Sequence, residues 1–439
     1  MYEPPTTGRA AVILNEATSF LLVTTSPLFC FFCLIAYSDF ASSLYTAAAE
    51  LLYRGPVTFF SSYLPRTSAR ALAGYATWIL FQALLYRFLP GPVRLGPRTC
   101  GGRRLLYRLN GLAAWATTVA AAVLAAYGGY VDPAVIAKNW GELFVAASMY
   151  CALLVTVFYV KARAWPDSRG ETLLTGQFWY DLFNGGELHP RTGRLFDWKH
   201  FNASRTGGIL LWTLIDLSFA SWQYELHDTV TSTMIAAVVF RAIVVVDFFW
   251  YEHWFLETLD GCHERFSFYS IYGFAAMMPL LWTLQTQYLA RHPFELSRPA
   301  LAIACLLFAA GFLLNHDANG QRTLARRRAG VLEIWGRPAR CVRAQYATAD
   351  GKLHHTILLC SGWWGVARHA NYLGSALYTL GACTVCGTGR ALPYMEAVLV
   401  LGTVLHRCWR DEAKCRVKYG KAWDEYCALV RWRMLPGIY

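Results

Sequence analysis

Apolar residues in this chain come in long, nearly unbroken runs rather than on one face of short periodic segments. Ten such runs, at 17–38, 71–90, 110–128, 143–160, 207–224, 229–250, 266–290, 299–315, 371–386 and 391–406, are long and apolar enough to cross a bilayer. Roughly 20 helical residues cover a hydrocarbon layer of about 30 Å. Lipid offers backbone amides and carbonyls no partners, so helices are the expected spanning form. The pattern predicts an all-α fold, a polytopic membrane helix bundle with about ten transmembrane helices. The count is good to within two, because the ninth run is short and the sixth holds Arg241 and Asp247.

Composition supports the same solvent. Of the 439 residues 56% are hydrophobic and only 15% are charged, where a soluble domain carries about a quarter. The net charge of +12 would suit a nucleic-acid partner, but its distribution does not. Arginines cluster in alternate loops: Arg94, Arg98, Arg103, Arg104 and Arg108 between runs two and three, and Arg322, Arg326, Arg327, Arg328, Arg337, Arg340 and Arg343 after run eight. The loops between them are nearly uncharged or acidic. This positive-inside pattern places both termini in the cytoplasm and argues for membrane lipid, and no nucleic acid, as the surrounding partner. The stretch before the first run has acidic residues and no basic leader, so that run is expected to act as an uncleaved anchor. The pairs Cys30/Cys33 and Cys383/Cys386 lie inside apolar runs without histidines at zinc spacing, and read as small buried hydrophobes rather than metal ligands.

No linker or internal repeat divides the chain, which reads as one domain over 1–439. Residues 1–170 are mainly scaffold, and the chemistry concentrates in 175–439. Neither a GxGxxG turn between strand and helix nor a Walker lysine loop occurs, so any nucleotide binds without a Rossmann domain. In the tail, Asp411, Cys415 and Tyr419 recur every four residues and share one helical face, with Arg407, Arg410, Lys414 and Lys418 around them. Gly420 is the expected helix end. A carboxylate and a phenol beside cations suit an anionic ligand with a ribose; they equally suit a snorkelling basic membrane edge. Arg322 and Arg326 form a second i, i+4 pair, suited to a phosphate. Trp363, Trp364, Arg368, Asn371 and Tyr372 open run nine, where the tryptophans suit a headgroup belt or a stacked base. Ionisable groups in or beside the runs (Asp216, Asp247, Glu252, Glu257, Asp260 and His263) are costly to bury, and are candidates for paired structural bonds or for catalysis.

Several stretches together resemble the sterol reductase family. They are Trp335-Gly-Arg-Pro338, Tyr346-Ala-Thr-Ala-Asp-Gly351 with His354-His355, Leu358-Leu-Cys-Ser-Gly-Trp-Trp-Gly-Val-Ala-Arg-His369, Asn371-Tyr-Leu-Gly374, and the ending His406-Arg407 through Tyr439. Glu187-Leu-His-Pro-Arg191, Asp247-Phe-Phe-Trp250, Leu284-Gln285 and His292-Pro293 fit as well. The Thr-Ala-Asp-Gly…His-His and Gly-Val-Ala-Arg-His runs resemble the Δ7-reducing branch.

The resemblance implies a multi-pass protein of the endoplasmic reticulum membrane, with a sterol substrate and an NADPH pocket on the cytoplasmic side. It names no protein partner. Its cofactor-binding residues would be Arg322, Arg326, Leu359, Trp364, Asn371, Tyr372, Asp411, Cys415, Tyr419 and Tyr426, with Asp411 as the first candidate for the catalytic acid or its partner. The family reaction is protonation of an alkene followed by hydride transfer. Three positions depart from the family pattern: Val244 replaces a tyrosine, and Phe274 and Ser375 each replace an aspartate that follows glycine. These departures keep a second reading open, a sterol-binding or scaffolding protein that retains the fold. Reduction of a 14- or 24(28)-double bond, or methyl transfer to isoprenylcysteine, would also suit a chain of this pattern.

Overall fold

The computed structural model describes residues 8–439; the first seven residues of the stretch read as lacking a basic leader lie outside it. The described chain is mostly helical. Nine of the ten apolar runs coincide with one long helix each: α1 (Arg9–Asp39), α2 (Ala69–Phe88), α3 (Gly111–Tyr127), α4 (Trp140–Ala164), α5 (Ile209–His227), α6 (Ser232–Trp250), α7 (Arg298–Arg327), α8 (Ala370–Thr384) and α9 (Met395–Tyr419). Among the described residues, α1, α4, α6 and α7 are long and apolar enough on their own to cross a membrane.

The seventh run is not one helix. It breaks into Phe268–Tyr272, a π-helical turn at Gly273–Met277, Met278–Leu281 and Leu284–Arg291. Pro279 supplies no amide hydrogen to a ladder, and buried side chains satisfy the backbone groups that the break releases. Asn202 donates to the carbonyl of Ile271 (3.3 Å), Thr283 to that of Pro279 (2.7 Å) and Gln287 to that of Leu280 (2.8 Å).

Small antiparallel sheets, which the apolar pattern does not announce, fill the polar loops. One hairpin pairs β1 (Val93–Arg98) with β2 (Arg104–Arg108), and another pairs β3 (Cys341–Ala347) with β4 (Leu353–Leu359). The second hairpin is buried along one face and, at its Ile357–Leu359 end, on the other as well. Val342, Ala344 and Leu358 pack on Trp423, Tyr426 and Val430 of the tail. Ile357 and Leu359 pack on Ala325 and Trp364. The Thr348-Ala-Asp-Gly run forms its tip, where the Ala349 amide donates to the Cys100 carbonyl of the first hairpin's turn (3.0 Å).

Helices α7 and α8 pack without side chains between their backbones. A Cβ at Gly311 would lie 2.3 Å from the Tyr378 nitrogen, and one at Gly374 would lie 2.5 Å from that of Asn315. Lipid gives apolar side chains no drive to associate, so close backbone approach through small residues holds such pairs together.

A buried carboxylate ties the two halves of the bundle. Glu252 follows α6 and is held by Arg205 (2.6 Å), by the Gly111 amide that opens α3 (2.9 Å) and by His200 at 3.3 Å. His200 in turn bonds Tyr86 of α2 (2.9 Å), and Asn110 donates to the Leu89 carbonyl at the end of α2 (2.9 Å). Any side chain at Gly111 would strike Phe249, Arg205 and Glu252. Burial opposes the charged form, yet Arg205, His200 and the Gly111 amide hold the Glu252 carboxyl down at about 2.

Arg205→Ala should therefore cost about 3–5 kcal/mol, the loss expected when one partner of a buried ion pair is removed, read as the unfolding transition in detergent. Arg205→Met combined with Glu252→Gln should cost less than either change alone. The Glu252 contribution is present above its ordinary pKa of 4.5 and is lost as pH falls towards about 2. Acid titration of the wild type should show that loss, and the Gln variant should not.

Candidate functional site

The end of α7 is fastened by the two tryptophans on the approach to α8. Trp363 donates its indole N–H to Asp317 (2.8 Å) and Trp364 donates to the Ala318 carbonyl (2.7 Å). Neither indole is a free headgroup anchor. The Arg322 guanidinium lies over the Trp364 ring, 5.0 Å from its centroid. Its Nη2 donates to Asn319 Oδ1 (3.2 Å), while its buried Nε has no hydrogen-bond partner among the described residues. Asn371 shares the same acceptor, donating at 3.2 Å, and its own buried Oδ1 has no donor among them. Both atoms adjoin Asn319 through their own side chains and, like several other buried polar atoms of the chain, are open to a further partner. They mark where a further polar group belongs.

Across from them stands the face of α9 read from the tail spacing. The helix runs to Tyr419 and ends at Gly420, whose φ of 54° only glycine adopts readily. Asp411 approaches His369 at 3.9 Å, and His369 stacks on Tyr372 with ring centroids 5.1 Å apart. The electrostatic influence of Asp411 reaches Arg322, Tyr372, Cys415 and Tyr419. Burial raises the Tyr419 phenol, with Arg326 pulling the other way. Of the sequence-predicted residues, Arg322, Arg326, Trp364, Asn371, Tyr372, Asp411, Cys415 and Tyr419 lie in this region, at the end of α7, the approach to and start of α8 and one face of α9. Leu359 and Tyr426 do not face it in the same way: Leu359 is core between β4 and Trp364, and the Tyr426 hydroxyl donates to the Trp364 carbonyl (3.4 Å) from below.

The cationic wall expected from the tail is largely neutralised. The segment after Glu252 folds back and pairs Asp260 with Arg407 (2.8 Å) and Glu264 with Arg410 (2.8 Å), with Lys414 at 3.7 Å from Glu264. Lys418 sits over the Tyr346 ring at 4.2 Å. Glu257 stands 3.8 Å from Arg326. His263 is exposed beside this segment.

Glu412, one residue from the predicted Asp411, carries a role that spacing does not show. It receives Arg368 (2.9 Å) and Arg433 (3.1 Å). Arg368 also donates to the carbonyls of Val430 (2.7 Å) and Arg431 (2.9 Å), so the final segment is stitched onto the loop before α8. Burial alone would raise the Glu412 carboxyl; His369, Arg368 and Arg433 instead hold it at about 2. The alternation of acid and base across 368, 412 and 433 is the available signal, but it requires the tertiary fold to read.

Deeper in the helices the ionisable groups divide in two. Asp216, Arg241 and Glu396 are all buried and cluster together, with Asp216 Oδ2 and Arg241 Nε left without a hydrogen-bond partner among the described residues. Arg241 bonds both Glu396 oxygens (2.8 and 2.7 Å) and lies 3.8 Å from Asp216, which accepts from Thr286 (2.6 Å). Asp247 does not share a face with Glu252, because α6 ends at Trp250 and Glu252 turns into its own knot. Asp247 instead bonds Nδ1 of His316 on α7 (2.8 Å), a residue that the sequence pattern does not single out. Next to this pair, Asn315 donates to Ser375 Oγ (2.9 Å) and to the Asn371 carbonyl (2.8 Å), and Asn319 donates to Asn315 (3.1 Å). A polar ladder therefore runs from Ser375 to Arg322. Of the other two departures, Val244 packs on the main core and Phe274 is buried among Tyr107, Ala203, Phe255 and Leu256.

This arrangement can hold a dinucleotide phosphate at Arg322 and Arg326, a ring against Tyr372 and the amide of Asn371, and sugar hydroxyls at Asp411 and Tyr419. The unpartnered Arg322 Nε and Asn371 Oδ1 fit such a group.

Residues 18–439 match the ergosterol biosynthesis ERG4/ERG24 family. The chain is similar to 7-dehydrocholesterol reductase of Xenopus laevis, 37% identical over 98% of this chain and 94% of the relative. It is 36% identical to the protein of that name from Danio rerio, over 100% of this chain and 94% of the relative. To the Delta(14)-sterol reductase of Methylotuvimicrobium alcaliphilum it is 35% identical, over 87% of this chain and 86% of that protein. Near full-length coverage of relatives at this identity leaves one conclusion: the chain belongs to the ergosterol biosynthesis ERG4/ERG24 family of sterol reductases.

Proposed function

We propose that this protein reduces a carbon–carbon double bond of a sterol with NADPH, and that the bond is Δ7 of a 7-dehydrocholesterol-type sterol. We further place it in the endoplasmic reticulum membrane. The observation that carries the cofactor reading is Arg322, a guanidinium laid on Trp364 with a buried Nε that no described residue satisfies. Its neighbours Arg407 and Arg410 are held by carboxylates at 2.8 Å, whereas Glu257 stands off from Arg326 at 3.8 Å, so the positive charge offered to a phosphate at the end of α7 comes from Arg322 and, more loosely, Arg326. Support for Δ7 comes from the names of the Xenopus and Danio relatives. The Thr-Ala-Asp-Gly tip shared with that branch docks on the first hairpin and does not reach the site, so it speaks for kinship rather than for choice of bond.

When bound, NADPH supplies the hydride. The tasks of the chain are to fix the phosphates, orient the nicotinamide and keep water from the reacting carbons. Arg322 and Arg326 grip the 2′-phosphate or the diphosphate bidentately. Asp411 and Tyr419, on one face of α9, accept and donate to ribose hydroxyls, so that Asp411 orients the cofactor. Glu412 holds that face in place through Arg368 and Arg433. The two orphaned atoms favour this reading over a scaffold. Phe274, packed in an aromatic cluster where the family pattern would place a carboxylate, favours the second reading, a sterol-binding protein without turnover.

Two measurements separate them. Arg322→Glu with Arg326→Glu should weaken NADPH binding by about 100-fold, the loss of two charge-assisted contacts, and leave sterol binding within about twofold; equal weakening of both ligands would remove the phosphate role. Membranes containing the protein, given NADPH and 7-dehydrocholesterol, should lose the conjugated ring-B diene absorbance and gain cholesterol by mass. Asp411→Ala should slow that turnover about tenfold or more through cofactor affinity. Absence of turnover with this sterol, a 14-ene and a 24(28)-ene would establish the sterol-binding reading.

A further inference from the structure

Most of the charge buried in the helices is closed off. Arg241, Glu396 and Asp216 are buried against one another, and Glu252 is enclosed by Arg205, His200 and a backbone amide. The Asp247–His316 pair differs. Its side chains are 23% and 31% exposed, it joins α6 to α7, and it uses one ring nitrogen only. Nδ1 of His316 faces Asp247 Oδ1 at 2.8 Å, which turns Nε2 away from the carboxylate.

Three aromatic rings surround the imidazole. Tyr251 and Trp254, stacked on each other at 4.3 Å, lie 5.0 and 5.4 Å from it, and Phe312 lies 6.0 Å away on α7. Aromatic faces attract cations, and the carboxylate behind the ring adds a full negative charge to the same pocket. The titratable groups facing the imidazole are Asp247 and Tyr251, with Tyr378 of α8 within electrostatic reach of Asp247. Along α7, His316 precedes Arg322 by six residues, about 9 Å of helix at 1.5 Å per residue. The ribose and nicotinamide of a cofactor anchored at Arg322 can bridge that span.

We propose that His316, oriented by Asp247, is the proton donor to the sterol double bond, and that the Tyr251–Trp254–Phe312 cage stabilises the resulting cation. The inference rests on the reductase reading above. Nε2–H gives its proton to one alkene carbon as the π pair forms the new C–H bond, leaving a carbocation on the other carbon. Hydride from the nicotinamide fills that carbon, so one alkene, one NADPH and one proton give one saturated bond and NADP+. The imidazole regains its proton from water at its exposed side, and the carboxylate on Nδ1 orients the ring. This supplies an acid although positions 244, 274 and 375 offer none of the family's usual ones.

The test uses the full chain in membranes with 7-dehydrocholesterol. His316→Ala should lower kcat by about 100-fold with NADPH affinity unchanged within about twofold, and added imidazole should restore part of the rate. A structural role would not respond to imidazole. A second readout needs no cofactor and no turnover: binding of a sterol carrying a ring-B tertiary amine, whose ammonium form mimics the cation. Asp247→Asn should weaken it about tenfold relative to neutral 7-dehydrocholesterol. Wild-type turnover with an unimpaired His316→Ala enzyme overturns the histidine assignment and leaves the reductase reading standing. A wild type that turns over no sterol, yet binds the amine no better than the neutral sterol, overturns both.

Discussion

The architecture depends on a carboxylate that cannot be left alone. Glu252 is 2% exposed and lies where the helices meet, so an uncompensated charge there would cost several kcal/mol. Its compensation recruits Arg205 from the π-helical turn before α5, His200 from the segment ahead of it and the first amide of α3. Those demands explain Gly111, where no side chain fits, and the ending of α6 at Trp250 rather than a turn later. Because Glu252 is pinned, the segment after it is directed back over the C-terminal half. There Asp260 and Glu264 meet the arginines of α9.

That return sets the electrostatics of the proposed cofactor side. Seen in sequence, α9 carries an unrelieved row of cations, which by itself would attract any anion or an acidic lipid surface. Folded, the row is mostly neutralised from across the groove, and selectivity passes to the few guanidinium groups left open. Arg322 gains its position from three separate constraints. Trp364 supports its face, Asn319 holds Nη2, and the close Gly311–Gly374 contact keeps α8, and with it Asn371, at a fixed distance. The clamp of Glu412 on Arg368 and Arg433 closes the other side with the chain's own final segment. A site assembled from four sequence-distant pieces is rigid only if each piece is locked this way.

Much of this is legible in the sequence, and the reasons are physical. Apolar runs announce helices because lipid enforces them, and nine runs are single helices. The i, i+4 spacing of Asp411, Cys415 and Tyr419 survives because a helix maps spacing to face directly. The break in the seventh run is hidden, since Pro279 is one residue in a run otherwise continuous in hydropathy, and the side chains that satisfy the break come from Asn202, Thr283 and Gln287. The β3–β4 hairpin is equally hidden because its alternating burial has two partners, the tail and the end of α7, which only the fold brings together. His316 is silent in the sequence for a similar reason: its meaning lies in Asp247, 69 positions earlier.

The two open polar places, Arg322 with Asn371 and His316 with Asp247, lie on one helix and differ in kind. The first is a donor-rich end with orphaned atoms, where an anion is attracted and a cation is repelled. The second is a carboxylate-backed ring among aromatic faces, where a developing cation is favoured and an anion is not. A reaction that moves hydride from a phosphate-anchored donor onto a carbon made positive by protonation needs this polarity and in this order along α7. Placing both on one rigid helix removes the freedom that two independent segments would have, and so fixes the separation between hydride donor and acid before substrate arrives. The loss of side chains at 244, 274 and 375 is tolerable on this view because the acid does not have to come from α8 or the broken seventh segment. In the proposed arrangement it comes from His316, on the same helix as the proposed phosphate site.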